Sequence, residues 1–399
     1  MLNEKHLDRY ADVLLWGLRT ARSQSYKKGD IFLIRYHLAA IRLAEILEAK
    51  LLHMGMNPVQ RLIPTATMEH NFFHLANGRQ LTFTPPGEDN LYHQLSGAIY
   101  LQAPDSLTHL SRIDPKRIAT FNLSRKHLRD ILDQREEQGQ FGWTLCILPT
   151  PKLAQHAQLS VEDYARQIKN ACFLNRKDPV ARWQELFDNA LVVKKWLNSL
   201  KVDFYQVESA HVDLKVTPGA RRKWIGLSGH NIPSFELFLS PDWRGTLGIY
   251  YANLPSYRNG NYVEEVRLEF NRGEVVKASA KTGEAFVRQQ LITDKGSNKL
   301  GEFSLTDKRF SRIDRFMANT LFDENYGGKY GNCHVALGSS YSDTYDGNPA
   351  ELSQEEKAAL GFNDSALHWD LVNTEKKRVR AHLSSGGQVT VYENGKFLY

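Results

Sequence analysis

In the second half of the 399-residue chain, carboxylates and imidazoles recur in segments where turn residues meet apolar ones. Four segments stand out. GHNIPSFELFLSPD carries Glu236, NKLGEFSL carries Glu302 directly after a glycine, TLFDENYGGKYGNCHVALGSSY carries Glu324, His334 and Tyr341, and NDSALHWDLVN carries His368 and Asp370. In the last segment the two polar groups are two residues apart in a strand-like run, so both face one side while Trp369 and Leu371 face the other. Phe303 and Leu305 after Glu302, and Val335, Ala336 and Leu337 after His334, draw those polar groups toward the interior. A carboxylate held there requires a cation as partner. Taken singly, each of these residues has an ordinary structural reading.

The elements that must position them are short strands. VDFYQVES, HVDLKV, RKWIGLSG, GTLGIYYA, VEEVRLEFNRGEVVKASA and QVTVYENGKFLY read as strands, several joined by turns such as NRGE and ENGK. This half is expected to be strand-rich and mostly antiparallel. The first half alternates helix and strand periods. Residues 3–21 read as a helix, IFLIRY as a strand, HLAAIRLAEILEAKLLHMGM as a helix, and RLIPT, GAIYLQAPD and WTLCILPT as further short strands. LSRKHLRDILDQREEQ is an amphipathic helix, Ser160 and Asp163 form a capping-box pattern opening another, and DPVARWQELFDNALVVKKWLNSL closes this half. Strands separated by helices imply a parallel sheet covered on both faces. The expected fold class is α/β plus α+β, with a Rossmann-like scaffold over residues 1–204 and a strand-rich, mostly antiparallel metal-binding domain over residues 205–399. No GxGxxG follows any strand and no GxxxxGK[ST] occurs, so a nucleotide is not expected.

Composition narrows the function classes. With 42% hydrophobic and 24% charged residues, the chain is long enough to bury a core without disulfide or metal staples. Cys146, Cys172 and Cys333 form no CxxC pair, which fits a reducing compartment. The opening MLNEKHLDRYADVLLWGLRTA is charged throughout, unlike a signal peptide, and no run approaches the roughly 20 apolar residues of a membrane span. The expectation is a cytoplasmic protein with no membrane partner. The net charge of +6 is modest and the basic clusters ARRKW and EKKRVR are short, so no nucleic-acid partner is expected. His70 and His74 lie four apart, but Glu69 precedes both and the HExxH pattern is absent. GLSGH lacks the GxSxG spacing of a nucleophile elbow, which disfavours a covalent hydrolase. His230, just ahead of Glu236, is read as a residue near the pocket.

In their order and spacing, NIPSFE with SPD, LGE, FDEN, HVALGSSY and NDSALHWDL resemble the aminopeptidase T and aminopeptidase S family of dinuclear metallo-aminopeptidases. The resemblance covers most of the second half and, more loosely, the whole chain. It implies six ligands, Glu236, Glu302, Glu324, His334, His368 and Asp370, for two divalent metal ions, with Tyr341 at the edge of the site. Four ionised carboxylates would balance two divalent ions. Imidazole ligands suit zinc or cobalt better than magnesium, with magnesium or manganese as the other candidates. The implied reaction is removal of N-terminal residues from peptides by a hydroxide activated between the ions. Glu302 is then the bridging ligand or base, and Tyr341 stabilises the oxyanion or returns a proton to the leaving amine. The implied partners are peptide substrates with a free N-terminus and a second copy of the chain in a homodimer. The ten positions from Glu324 to His334 exceed the family spacing, so Glu324 is the ligand most exposed to displacement. Glycines in this stretch are expected to let the backbone fold around the ions. The cationic ARRKW cluster is read as a means of attracting a peptide's carboxylate end. Two other readings of the same residues are a different two-metal hydrolase, such as a phosphoesterase, and a non-enzyme whose metals stiffen an interaction surface.

Overall fold

The apolar run Ile31–Tyr36 pairs in parallel with Asn57–Leu62 on one side and Leu95–Gln102 on the other, and the sheet continues through Gly142–Ile147 to Asn231–Ile232. This structure, a computed structural model, describes residues 2–399. Every pairing in that sheet is parallel, and helices separate the successive strands as the alternating periods predict. Helix Glu4–Ala21 packs on Gly142–Ile147 and is opened by Asn3, whose side chain accepts from the His6 amide while the His6 ring bonds back to Asn3. Ser160 caps helix Val161–Ala171 through the Asp163 amide. The strand expected at RLIPT instead ends at Leu62, because Pro64 has no N–H to extend the ladder. The chain divides into two compact units, residues 1–187 with 227–234 and residues 188–226 with 235–399.

In the second unit an eight-stranded antiparallel sheet runs in the order Glu274–Ser279, Val266–Asn271, Leu247–Ala252, Asp213–Val216, Val202–Glu208, Arg378–Leu383, Gln388–Glu393, Lys396–Phe397. Its NRGE and ENGK turns place Arg272 and Gly273, and Asn394 and Gly395, at positive φ of 50°, 84°, 51° and 79°, the tight hairpin geometry the residue types predict.

Beside it lies a five-stranded sheet of β1 (Ile225–Gly226), β2 (Glu236–Leu239), β3 (Leu300–Thr306), β4 (Asn332–Gly338) and β5 (His368–Asn373). Its spatial order is its chain order, an antiparallel meander. One face is apolar: Leu237, Leu239, Phe303, Leu305, Val335, Leu337, Trp369 and Leu371 are all at most 1% exposed. Each contributes roughly 1.5–3 kcal/mol of burial. Tyr205 and Tyr250 of the larger sheet meet this face, Tyr205 beside the Phe303 ring and Tyr250 donating to the carbonyls of Cys333 and Leu371. With one face pinned by this core, a slip of one residue in any strand is excluded, and the side chains of the other face are fixed in place.

Candidate metal centre

Alternation from that apolar face assigns the opposite face residue by residue. Glu236 stands across from Thr306, Ser304 across from His334, Glu302 across from Ala336, Ala336 across from Asp370, and Gly338 across from His368. Five of the six candidate ligands therefore share one face of four consecutive strands. The positions between them are small: Ser304, Ala336 and Gly338. A slip in the β3–β4 register between Leu300 and Glu302 leaves Gly301 unpaired, and a Cβ there would stand 2.3 Å from the Ser339 carbonyl oxygen. The glycine before Glu302 thus permits the close backbone approach that aims this carboxylate. Gly338, at φ +103°, plays the same part at the end of β4, where a Cβ would meet the Leu367 carbonyl at 2.1 Å.

The sixth candidate, Glu324, arrives from the end of helix Thr320–Asp323. Its carbonyl accepts from Thr306 Oγ1 at 3.2 Å and Asn332 Nδ2 at 2.9 Å, both on the ligand face, and its side chain is buried. The neighbouring Asp323 carboxylate instead caps the amides of Met317 and Asn319, so Glu324 is the acid of the FDEN segment that turns to the cluster. The long spacing to His334 is taken up by a turn in which Gly327 and Gly328 donate to the Ile313 carbonyl, ahead of β4.

The distances define a tight donor set. His334 Nε2 lies 3.1 Å from Glu236 Oε2, 3.0 Å from Glu302 Oε1 and 3.9 Å from Asp370 Oδ1. His368 Nε2 lies 3.4 Å from Asp370 Oδ1 and 3.8 Å from Glu302 Oε2. Glu302 therefore offers a different oxygen to each imidazole. His368 Nδ1 is 2.9 Å from the Ser339 carbonyl, which can only accept, so Nδ1 carries the hydrogen and Nε2 is left for the cluster. Tyr341 stands at the rim, 37% exposed, its ring 4.8 Å from that of His368 and 5.8 Å from that of Phe238.

Electrostatics point to a missing counter-charge. Burial pushes Glu302 up to about 7, against the pull of the His334 hydrogen bond and with a further push from Glu236. Burial, then the charges of Glu236 and Asp370, hold Glu324 well above the usual carboxylate range. Burial opposes protonation of His334, but hydrogen bonds to Glu236 and Glu302 outweigh it and raise its pKa well above the ordinary value. Asp370 is depressed to about 2 despite burial, first by His368 and also by His334 and Arg258. Were all four carboxylates ionised, this buried cluster would carry excess negative charge even with both rings protonated, a state that a divalent cation would stabilise.

This donor set fits divalent ions. The ligand atoms of Glu236, Glu302 and His334 lie within 4.8 Å of one another, and two ligands roughly 2.0–2.1 Å from a tetrahedral ion stand about 3.3 Å apart, close to the separations found here.

Ser304, Asn332 and Arg258 escaped the sequence reading. Ser304 Oγ donates to Glu236 Oε2 at 3.0 Å, and Arg258 Nη1 donates to the His368 carbonyl at 2.7 Å. Ser304 was recoverable from its place two residues after Glu302 on a strand; nothing in sequence ties Arg258 to His368. Two further sequence readings have these surroundings. His230 belongs to the parallel-sheet unit, where Nε2 pairs with Glu136 at 2.7 Å and Nδ1 meets Ser228 Oγ at 2.6 Å. The ARRKW arginines are structural: Arg221 pairs with Asp346 at 2.7 Å, and Arg222 donates to the carbonyls of Ser240, Leu360 and Ala220 with its guanidinium over Phe362. Arg222 is thereby committed to backbone carbonyls, whereas Arg221 is exposed to solvent.

Residues 3–397 match the family model described as thermophilic metalloprotease (M29). The chain belongs to that family. Within the thermophilic metalloproteases it is 27% identical over 420 residues to aminopeptidase 2 of Geobacillus stearothermophilus, covering 99% of this chain and 98% of the relative. It is 26% identical to aminopeptidase AmpS of Bacillus subtilis, over 76% of this chain and 77% of that one, and 27% identical to aminopeptidase T of Thermus aquaticus, over 64% and 63%. The solved structure of wild-type AmpT from Thermus thermophilus superposes with a TM-score of 0.79 at 20% identity, covering 99% of this chain and all of that one, which establishes the shared fold.

Proposed function

We infer that this metalloprotease is an aminopeptidase that hydrolyses the N-terminal residue from peptides with the help of two divalent ions. The observation that carries the reading is the convergence of Glu236, Glu302, His334, His368 and Asp370 on one sheet face, with Glu324 joining from a helix end. The relatives named as aminopeptidases support the reaction class. Glu236, Glu324, His334, His368 and Asp370 would hold the ions, and Glu302, with one oxygen toward each imidazole, would serve as a further ligand or as the base. When bound, such ions polarise a carbonyl and lower the pKa of water.

The chain's own groups do the rest. Holding the substrate's free amine at this cluster is what would select the end of a peptide. In the role of base, Glu302 would take the proton of the attacking water and deliver it to the leaving amine. The Tyr341 phenol, at the rim beside His368, donates to the oxyanion that develops on the scissile carbonyl. Ser304, Arg258 and the Ser339 carbonyl hold Glu236 and His368 in place.

Zinc or cobalt is the proposed occupant, supported by the two imidazoles in the donor set. We also propose a division of labour in which residues 1–204 are scaffold and 205–399 catalytic, supported by the fact that every candidate ligand lies beyond residue 205. A cytoplasmic location is supported by three buried cysteines, none in a disulfide among the described residues. No helix is long and apolar enough to cross a membrane. A homodimer is the proposed assembly, resting on the family resemblance, and light scattering checks it. The deciding experiment incubates metal-replete protein with leucyl-p-nitroanilide and, separately, p-nitrophenyl phosphate, with elemental analysis and Glu302→Gln as control. Release from the anilide alone, lost in Glu302→Gln, is expected; release from the phosphate alone would replace the reading with phosphoester hydrolysis.

A further inference from the structure

On strands β2 to β5 the ligand face is polar or small apart from Val372, across from His334, and one aromatic side chain. Phe238 follows Glu236 by two residues on β2 and stands across from Ser304. Its strand neighbours Leu237 and Leu239 point to the core and are at most 1% exposed, whereas Phe238 is only half-buried. The Tyr341 ring meets it edge-on at 5.8 Å, and the Tyr341 backbone N–H donates to Ser240 Oγ at 2.8 Å, just past the end of β2. Beside four buried carboxylates, then, stands a small aromatic wall whose open side faces the same space.

We propose that Phe238, backed by Tyr341, is the apolar subsite for the side chain of the substrate's first residue, and that the enzyme prefers peptides beginning with leucine, phenylalanine or another large apolar residue. This rests on the aminopeptidase reading. The spacing carries the argument. Two residues along a strand rise about 6.6 Å, so the acid of Glu236 and the ring of Phe238 are separated by little more than the reach of one amino-acid residue. A substrate whose N-terminus is held at the ligand cluster directs the side chain from the adjoining Cα across the Phe238 ring. An isobutyl or benzyl group covers the wall, while a methyl group stops short of it. A lysyl side chain would bring an ammonium group onto apolar surface and lose its hydration. Discrimination by such a wall follows apolar contact, about 10-fold or more per methylene group at best.

The test is a panel of leucyl-, phenylalanyl-, alanyl- and lysyl-p-nitroanilide with metal-loaded protein and with Phe238→Ala and Phe238→Leu. The parent is expected to favour leucyl over alanyl substrate in kcat/KM by about 10-fold or more; Phe238→Ala should reduce that ratio by about 10-fold, chiefly through KM, and Phe238→Leu should retain most of it. Binding gives a second readout. By calorimetry, L-leucine should bind the parent more tightly than L-alanine does, and Phe238→Ala should erase the difference. A fall common to all four substrates, with the leucyl-to-alanyl ratio unchanged, would mean that Phe238 only supports Tyr341 and would overturn the subsite. Absence of turnover on the whole panel would instead overturn the aminopeptidase reading, and the calorimetric comparison would still decide whether Phe238 discriminates side chains.

Discussion

Ala336 is the position where the smallest chemical change should do the most damage to the site. On β4 it stands across from Glu302 on one side and Asp370 on the other, all three on the ligand face. Directly paired Cβ atoms lie about 4.5–5.5 Å apart, so the two methyl groups of Ala336→Val would project into the gap between those carboxylates. An ion about 2.0–2.2 Å from its ligands leaves no room for a carbon in the same gap, and at least one ligand must withdraw. We expect metal affinity to fall by about 100-fold or more. At a metal concentration of about 100 Kd for the parent, binding stabilises the fold by about 2.7 kcal/mol; a hundredfold weaker site at the same concentration retains only about 0.4 kcal/mol. For a unit of about 200 residues, where 1 kcal/mol moves Tm by roughly 2–4 °C, the metal-dependent rise should shrink from about 5–11 °C to about 1–2 °C. Calorimetric melts of both proteins, chelated and with zinc or cobalt restored, measure this directly. The chelated variant should lose no more than about 1–3 kcal/mol from overpacking, which separates loss of the site from loss of the fold. A variant whose melting point rises with metal as much as the parent's would refute the placement of ions over Ala336, and with it the geometry proposed for the reaction.

Other consequences follow from the same arrangement. Tyr341→Phe should lower kcat by about 100-fold or more with little change in KM, because the phenol is assigned to a charge that exists only in the transition state; steady-state kinetics on the preferred anilide decide this. Arg258→Met should weaken metal binding by about 10-fold, measured by competition with a chelating dye, since it removes both the bond to the His368 carbonyl and a cation that favours ionised Asp370. Chelation should speed amide exchange between Leu321 and Tyr345, followed by mass spectrometry, with unchanged exchange counting against ions as the clamp on that segment. Lys377, whose ammonium group donates to the Glu375 carbonyl, is pushed down by burial to about 8 from an ordinary 10.5. The unfolded chain then binds the extra proton between those two values, so unfolding free energy should rise with pH across that window, by at most roughly 3 kcal/mol. Denaturant titrations of chelated protein at pH 8 and 10.5 should show the unfolding free energy of the parent gaining on that of Lys377→Met across the window, and a difference that does not change with pH would refute the assignment.

Much of this molecule is legible before any coordinates. Strands broken by three-and-four periodicity in the first half could only become a parallel sheet with helices between its strands, and NRGE and ENGK could only be tight hairpins, because their conformations are local properties of a few residues. The HxD pair of His368 and Asp370 had to share a face of any strand it joined. Glycine before Glu302 announced a special backbone, and the bulge at Gly301 is its cause.

What the chain order leaves open is which faces meet. Glu236, Glu302, His334 and Asp370 are separated by 32 to 66 residues between successive members, and no local rule brings them within 4 Å. That is settled by register: the apolar face packed against Tyr205 and Tyr250 locks each strand, and locking one face dictates the other. The same nonlocal logic assigned Arg222 to a structural anchor, carried His230 into the other unit, and set Phe238 beside the acids. Residue types and spacing determined what chemistry this protein can do; long-range strand pairing, enforced by burial of a shared core, decided which of those residues do it together.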